Sequence, residues 1–152
     1  MKNTLLDGDY LLLISSSFYH NPQYGDIIVA SKDAYENGMP IVKRVIATGG
    51  QTVDIDFEAG IVYVDGKALD EPYVSSRMIY EGIDFPLVVD EGCLFVMGDN
   101  RVISEDSRSP KIGQIDRREV LGKAVFLFVP GTDKGRTERD FSRLGVLSNG
   151  TR

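Results

Sequence analysis

The chain has 152 residues, a formal net charge of −6, one histidine and one cysteine. This length fits a single domain and suffices to bury a sizeable core. The acidic balance argues against nucleic acid as a partner, because nucleic-acid-binding surfaces are basic. With Cys93 alone, no disulfide can form within the chain. The apolar runs are far shorter than the roughly 20 residues of a membrane helix, so we expect the chain as given to be soluble.

Short apolar segments separated by turn residues indicate a β-rich first half. The predicted strands are residues 10–14, which we expect to be buried, 27–30, 41–47, 52–56 and 61–64. Asp65 and Gly66 then predict a tight hairpin turn, because glycine tolerates a positive φ. Residues 15–24 are polar and predict a loop. We expect His20 at the surface of this loop, and interpret three hydroxyls as ordinary turn groups, those of Ser15, Ser16 and Ser17.

The second half continues the pattern with predicted strands at residues 87–89, 93–97 and 120–129. Residues 115–119 favour one helical turn, and Thr137 could cap a short helix that contains Phe141 and Leu144. Residues 75–86 favour no regular element, and residues 148–152 should fray. We interpret Cys93 as a buried, inert thiol.

Together these elements predict a mostly β fold with antiparallel sheets in a barrel-like or sandwich core, a small β-hairpin insertion and few short helices. The predicted organisation is one domain over residues 1–152. Its core covers about residues 1–53 and 93–130, the hairpin insertion about 54–92, and the C-terminal tail 131–152.

Residues 97–108 form the most unusual stretch and read Met-Gly-Asp-Asn-Arg-Val-Ile-Ser-Glu-Asp-Ser-Arg. They follow a predicted buried strand, and Gly98, Asp99 and Asn100 are turn formers. Hydroxyls, carboxylates and guanidiniums alternate after them. Two interpretations stay open: a solvated turn, or a functional loop whose hydrogen bonds hold a neighbouring side chain in one geometry.

Lys43 lies within the apolar strand at residues 41–46. Alternation places it on one face with Ile41 and Val45. It could reach out to water or protect a sheet edge. Alternatively, burial could lower its pKa from about 10.4 to about 8. A neutral lysine amine can activate a serine hydroxyl, and this dyad needs no histidine.

The pattern from Gly98 to Arg101, followed by Ser104 and then Asp106-Ser107-Arg108, resembles the last signature box of type I signal peptidases. These leader peptidases are membrane-anchored serine proteases with a serine/lysine dyad. Residues 41–46 resemble the strand that carries the lysine of the family. Weaker similarities follow in the same order and extend the resemblance from Met1 to about residue 130; they lie at residues 1–9, 25–29, 49–53, 65–66, 70–73 and 122–126.

The resemblance implies a role for each matching residue. Lys43 would be the general base and Ser104 would orient its amine. Gly98 would leave room for close packing, and two supporting ion pairs would form, Asp106 with Arg108 and Asp99 with Arg44. Substrate would add as an extended strand, with small side chains in shallow pockets lined by Met1, Leu5, Ile41 and Val42. In the alternative interpretation, the ion pairs lie at the surface and contribute under about 1 kcal/mol each.

The implied activity is removal of signal peptides from exported preproteins after small residues of the Ala-X-Ala type, through an acyl-enzyme. The implied partners are signal peptides and a membrane surface, with the catalytic domain on the extracytoplasmic side of the cell membrane. No cofactor, metal ion or nucleic acid is implied.

The chain departs from the family at Asn3, where proline is usual, and ahead of Met1, where the nucleophilic serine, a second serine and the membrane anchor are expected. We therefore expect an inactive, truncated fragment. One alternative is a non-catalytic peptide-binding module derived from this family. Another is a self-cleaving repressor domain, which would need an Ala-Gly scission segment ahead of the dyad and usually a DNA-binding module.

Overall fold

The computed structural model describes residues 1, 4–33, 35–74, 78–79, 82–132 and 138–147. Within these ranges, no helix combines the length and the apolar character that crossing a membrane requires. The strands are β1 (Tyr10–Ser15), β2 (Ile27–Ala30), β3 (Ile41–Thr48), β4 (Thr52–Asp56), β5 (Ile61–Val64), β6 (Lys67–Ala68), β7 (Leu87–Val88), β8 (Cys93–Met97), β9 (Ile115–Asp116), β10 (Val120–Val129) and β11 (Gly145–Val146). Short 3-10 turns lie at Glu36–Gly38, Arg117–Glu119 and Phe141–Arg143.

The larger sheet has the order β1-β10-β2-β3-β8-β9, and β11 adds to β10. Its pairs are antiparallel, which confirms the predicted mostly β, antiparallel fold class. Among the described strands this order does not close on itself, so the sandwich-like form of the prediction applies rather than a barrel. β3 lies between β2 and β8. The strand that carries Lys43 is therefore central in the sheet.

The smaller sheet has the order β6-β5-β4-β7 and contains the predicted hairpin. Asp65 and Gly66 both have positive φ, 51° and 74°, as a two-residue hairpin turn requires. Apolar residues of this sheet, such as Val53 and Val62, pack in one buried cluster with Phe95 and Met97 of β8. This cluster fixes the end of β8, from which residues 98–109 depart.

The burial predicted for β1 is wrong. Tyr10, Leu12 and Ile14 are 63%, 58% and 42% exposed. β1 lies at the end of the larger sheet and pairs with β10. An apolar run signals burial on both faces only for a strand covered on both sides. Cys93 is likewise partly exposed rather than buried.

Two further segments differ in detail from the prediction. The helical turn expected at residues 115–119 begins with β9, and only Arg117–Glu119 are helical, capped by the Asp116 side chain. The C-terminal turn at Phe141–Arg143 has Asp140 as its N-cap. Thr137, residues 148–152 and part of residues 75–86 lie outside the described residues.

Candidate active site

β3 offers a backbone edge beside Lys43. Ile41 to Arg44 pair with β2 on one side, whereas β8 begins to pair on the other side only at Arg44. Residues 41–43 therefore have no described strand along their second edge. An extended peptide can hydrogen-bond to such an edge as an added strand.

Lys43 and Ser104 meet although 61 residues separate them. The Lys43 Nζ donates a hydrogen bond to the Ser104 Oγ at 3.1 Å. Ser104 is buried, and both side chains line one cleft of about 460 Å³. The cleft is lined by Met1, Leu5, Leu6, Asp7, Asp9, Leu11, Tyr35, Val42, Lys43, Ile103, Ser104 and Glu105. An amine, a hydroxyl and an apolar wall thus share one space.

Gly98 makes this contact possible. A Cβ at this position would lie 2.1 Å from the Ser104 Oγ and 2.6 Å from its Cβ. Any side chain here would displace Ser104, so the position requires glycine. The same point lies 3.7 Å from the backbone nitrogen of Met1. Met1 therefore lies against the wall that also carries Ser104.

Arg44, the neighbour of Lys43 in β3, forms a buried ion pair with Asp99. Its Nε and Nη2 donate to the two carboxylate oxygens at 2.9 Å each. Burial disfavours the charged form, but the hydrogen bonds and charge of Asp99 outweigh it and raise the pKa of Arg44. Thr4 adds a hydroxyl donor to Asp99. The surface interpretation of this pair is wrong, because both side chains are buried.

Asp106 and Arg108 form a second buried pair, with Nε to Oδ1 at 2.8 Å and Nη2 to Oδ2 at 2.9 Å. Asp106 also accepts from the Gly98 backbone N–H at 2.9 Å. Arg108 donates to the backbone carbonyls of Arg101 and Ser104. This pair is therefore buried too, and it fixes the backbone of the loop on both sides of Ser104.

Ile41 does not line the cleft, unlike Met1, Leu5 and Val42. Its side chain packs against the buried cluster that contains Ile28 and Val45. Alternation separates Ile41 from Val42, whose side chain packs with Leu5 in another cluster. Lys43 lines the cleft although alternation places it on the same face as Ile41.

Sequence reasoning assigned no role to Glu71, Tyr73 or Arg101. The Arg44 Cζ lies 3.9 Å from the centre of the Tyr73 ring, and Arg101 forms a bidentate pair with Glu71. Burial, followed by the negative charge of Glu71, raises the pKa of Tyr73. The available signals were the resemblances of residues 70–73 and of Gly98 to Arg101 to the family, and neither indicates which residues are in contact.

Tyr35 and Glu105, also without an assigned role, form a pair at the cleft wall. The Tyr35 hydroxyl donates to the Glu105 carboxylate at 2.8 Å. Burial and this carboxylate raise the pKa of Tyr35 to about 12. Lys111 and then Tyr35 lower the pKa of Glu105.

Comparison with known proteins gives consistent matches. The family model described as "Signal peptidase, peptidase S26" matches residues 1–129. The chain is 40% identical over 144 residues to a probable signal peptidase I-1 of Synechocystis sp., covering 90% of this chain and 70% of that protein. It is 37% identical over 147 residues to a signal peptidase I of Bacillus licheniformis, covering 91% and 76%. A crystal structure of a signal peptidase I from Enterococcus faecalis V583 is similar with a TM-score of 0.54 at 34% identity, covering 68% of this chain and 96% of that one.

Proposed function

This chain belongs to the peptidase S26 family of signal peptidases, and from that premise we propose that Lys43 is the general base of a serine/lysine dyad that cleaves signal peptides. The observation that carries the proposal is the hydrogen bond of 3.1 Å from the Lys43 Nζ to the Ser104 Oγ at the wall of a cleft. Proton transfer of this kind needs no cofactor or metal ion.

The proposed reaction begins with a neutral Lys43 amine. The amine takes the proton of a serine hydroxyl while the serine oxygen attacks the carbonyl carbon of the scissile peptide bond. The resulting ammonium gives a proton to the departing amine, which leaves an ester between serine and the peptide. Water hydrolyses the ester with the same base. Ser104 orients the amine throughout, and Gly98 with the two buried ion pairs holds Ser104.

We place the nucleophile on a serine that directly precedes Met1. The Met1 nitrogen lies at the wall shared with Gly98 and Ser104, so a serine joined to it would lie beside the amine of Lys43. On this proposal, residues 1–152 supply the base and the edge that binds the peptide. An anchor further upstream would hold the domain at the extracytoplasmic face of the membrane.

The proposed substrate is the signal peptide of an exported preprotein with small residues of the Ala-X-Ala type before the scissile bond. Its backbone would add to the second edge of residues 41–43. Its small side chains would enter pockets lined by Met1, Leu5 and Val42. Ile41 would contribute its backbone alone, since its side chain packs against the buried cluster that contains Ile28 and Val45.

The test uses this chain extended by a serine before Met1 and by an upstream anchor, with an Ala-X-Ala peptide as substrate. Lys43→Ala should lower kcat by about 10³-fold or more, as loss of a member of such a unit does. Ser104→Ala should lower it by about 10²- to 10⁴-fold, the range of proton-transfer support. Lys67→Ala, on an exposed residue of the smaller sheet, is the matched control.

Near-normal cleavage by the Lys43→Ala variant would contradict the proposed role of Lys43 as the general base. Binding without cleavage by the serine-containing chain would favour the non-catalytic peptide-binding module instead. Peptide affinity is measured in parallel by isothermal calorimetry, so that loss of binding and loss of chemistry are separated.

A further inference from the structure

Arg44 connects the strand of Lys43 to a tyrosine outside the cleft. Its guanidinium holds Asp99 with two hydrogen bonds and lies 3.9 Å from the centre of the Tyr73 ring. A guanidinium stacks favourably on an aromatic face while its edge stays free for hydrogen bonds. Tyr73 thus limits where the side chain next to Lys43 can lie.

Arg101 connects the loop of residues 98–109 to the same segment, through Glu71. It is fully buried, and its Nε donates to the Gly98 carbonyl at 3.0 Å. Its Nη1 and Nη2 donate to the two carboxylate oxygens of Glu71 at 3.0 and 2.5 Å. Arg101 therefore holds the Gly98 carbonyl and Arg44 holds the Asp99 carboxylate, and each arginine contacts the segment 71–73.

Glu71 and Tyr73 are also joined to each other. The Tyr73 hydroxyl donates to the Glu71 Oε1 at 2.8 Å. Tyr24 supports the segment from the other side, since its hydroxyl donates to the Asp70 carbonyl at 3.1 Å and lies 3.4 Å from the Tyr73 hydroxyl. This segment follows β6 of the smaller sheet, so its contacts tie that sheet to β3 and to the loop.

We propose that Glu71 and Tyr73 act as positioning residues that set the distance between the Lys43 amine and the Ser104 hydroxyl. Gly98 connects these contacts to Ser104. Its Cα packs so close to Ser104 that a Cβ would lie 2.1 Å from the Oγ. A shift of Gly98 therefore moves Ser104, and a shift of the Arg44 guanidinium moves Asp99, the neighbour of Gly98. The catalytic consequence rests on the proposed function, whereas the effect on the geometry of Lys43 does not.

The first experiment uses the chain as it exists and needs no activity. The rate at which acetic anhydride modifies Lys43 is measured by peptide mapping, relative to Lys67 in the same sample. Tyr73→Leu removes the ring, Tyr73→Phe removes only the hydroxyl, and Glu71→Gln removes the charge. Tyr63→Leu, on β5 of the smaller sheet, is the matched control.

We expect Tyr73→Leu to change the relative rate at Lys43 by at least about threefold, as loss of a coupled contact should. Tyr73→Phe and Glu71→Gln should change it in the same direction by less, and Tyr63→Leu should leave it unchanged. An unchanged rate in a folded Tyr73→Leu protein overturns the proposal. If that variant does not fold, an unchanged rate in both milder variants overturns it equally.

The second experiment measures cleavage by the serine-extended enzyme. A misplaced base should lower kcat by about ten- to a hundredfold while KM changes little, because the edge of residues 41–43 is untouched. An equal fall for Tyr63→Leu would show a merely structural effect and overturn the assignment. If the extended enzyme cleaves nothing, the proposed function fails, and the labelling rates still decide whether Glu71 and Tyr73 position Lys43.

Discussion

Two polar loops, residues 16–24 and 98–109, are each held by a buried aspartate, Asp26 and Asp106, but they differ in how much of the loop is buried. Asp26 closes the first loop, where Phe18, His20 and most neighbours are exposed. Asp106 lies inside the second loop, where most residues are buried.

The difference lies in the cation that accompanies each aspartate. Asp26 accepts from the Tyr19 hydroxyl and the Gln23 N–H, and the Lys123 Nζ lies 2.5 Å from its Oδ1. Asp106 instead faces Arg108, whose guanidinium also donates to three backbone carbonyls, those of Ile79, Arg101 and Ser104. A guanidinium has five donors in a fixed plane, whereas an ammonium is a compact charge on a flexible stem. Arginine can therefore satisfy a carboxylate and a buried backbone together.

Replacing each cation by methionine should give the largest difference in stability between the two loops. Arg108→Met leaves Asp106 charged and buried without its partner, and should lower the free energy of unfolding by about 3–5 kcal/mol. Lys123→Met should lower it by about 1–3 kcal/mol, because Asp26 keeps two other donors. Urea unfolding followed by circular dichroism measures both, and equal losses would contradict the role assigned to the guanidinium.

Gly98→Ala tests whether the buried loop tolerates any expansion. The added Cβ overlaps Ser104, so overpacking should lower the free energy of unfolding by about 1–3 kcal/mol and displace the Ser104 hydroxyl from Lys43. Gly60→Ala is the matched control, since its Cβ meets nothing within 4 Å and only its positive φ is strained. A smaller loss for Gly98→Ala than for Gly60→Ala would contradict the close packing.

Acid titration measures what Asp26, at the end of the exposed loop, contributes to the free energy of unfolding. We expect this effect to be the smallest of the three. Burial raises the pKa of Asp26, but hydrogen bonds from Lys123, Tyr19 and the Gln23 backbone outweigh it and leave the pKa lowered. Its stabilising contribution is then fully present above the unfolded pKa of about 3.9 and is lost as the pH falls through the folded value. Asp26→Asn should therefore reduce the loss of stability below about pH 4.

The measurement for Asp26→Asn is the free energy of unfolding at several pH values between about 2 and 6. Asp33→Asn, on an exposed side chain, is the matched control. An unchanged pH slope in Asp26→Asn would show that the carboxylate titrates alike in the folded and unfolded chains.

Local pattern predicted much of the fold, because a strand and its turn are encoded within a few residues. Alternation at residues 52–56 and the Asp65-Gly66 pair led to β4 and the hairpin, and both are present. The exposure of β1 could not be predicted, since burial depends on which layer covers a strand. Resemblance to a family supplied Lys43 and Ser104 as candidates, and their roles stay predictions.

The contacts of Glu71 and Tyr73 show why the rest of the candidate site escaped prediction. Glu71 meets Arg101 across 30 residues of sequence, and periodicity carries no information about such pairings. Charge alone was misleading for Arg44, because an arginine in a strand is more often at the surface than fully buried.

The contacts around Lys43 join stretches of chain that lie far apart in sequence: 61 residues separate it from Ser104, 55 separate Arg44 from Asp99, and 95 separate Thr4 from Asp99. Forming contacts over such separations slows folding, because the chain loses conformational entropy before the contacts stabilise it. A chain that has not yet made these contacts would hold Lys43 without Ser104 beside it. The hydrogen bond between the two side chains would then form only once residues 98–109 have packed against β3.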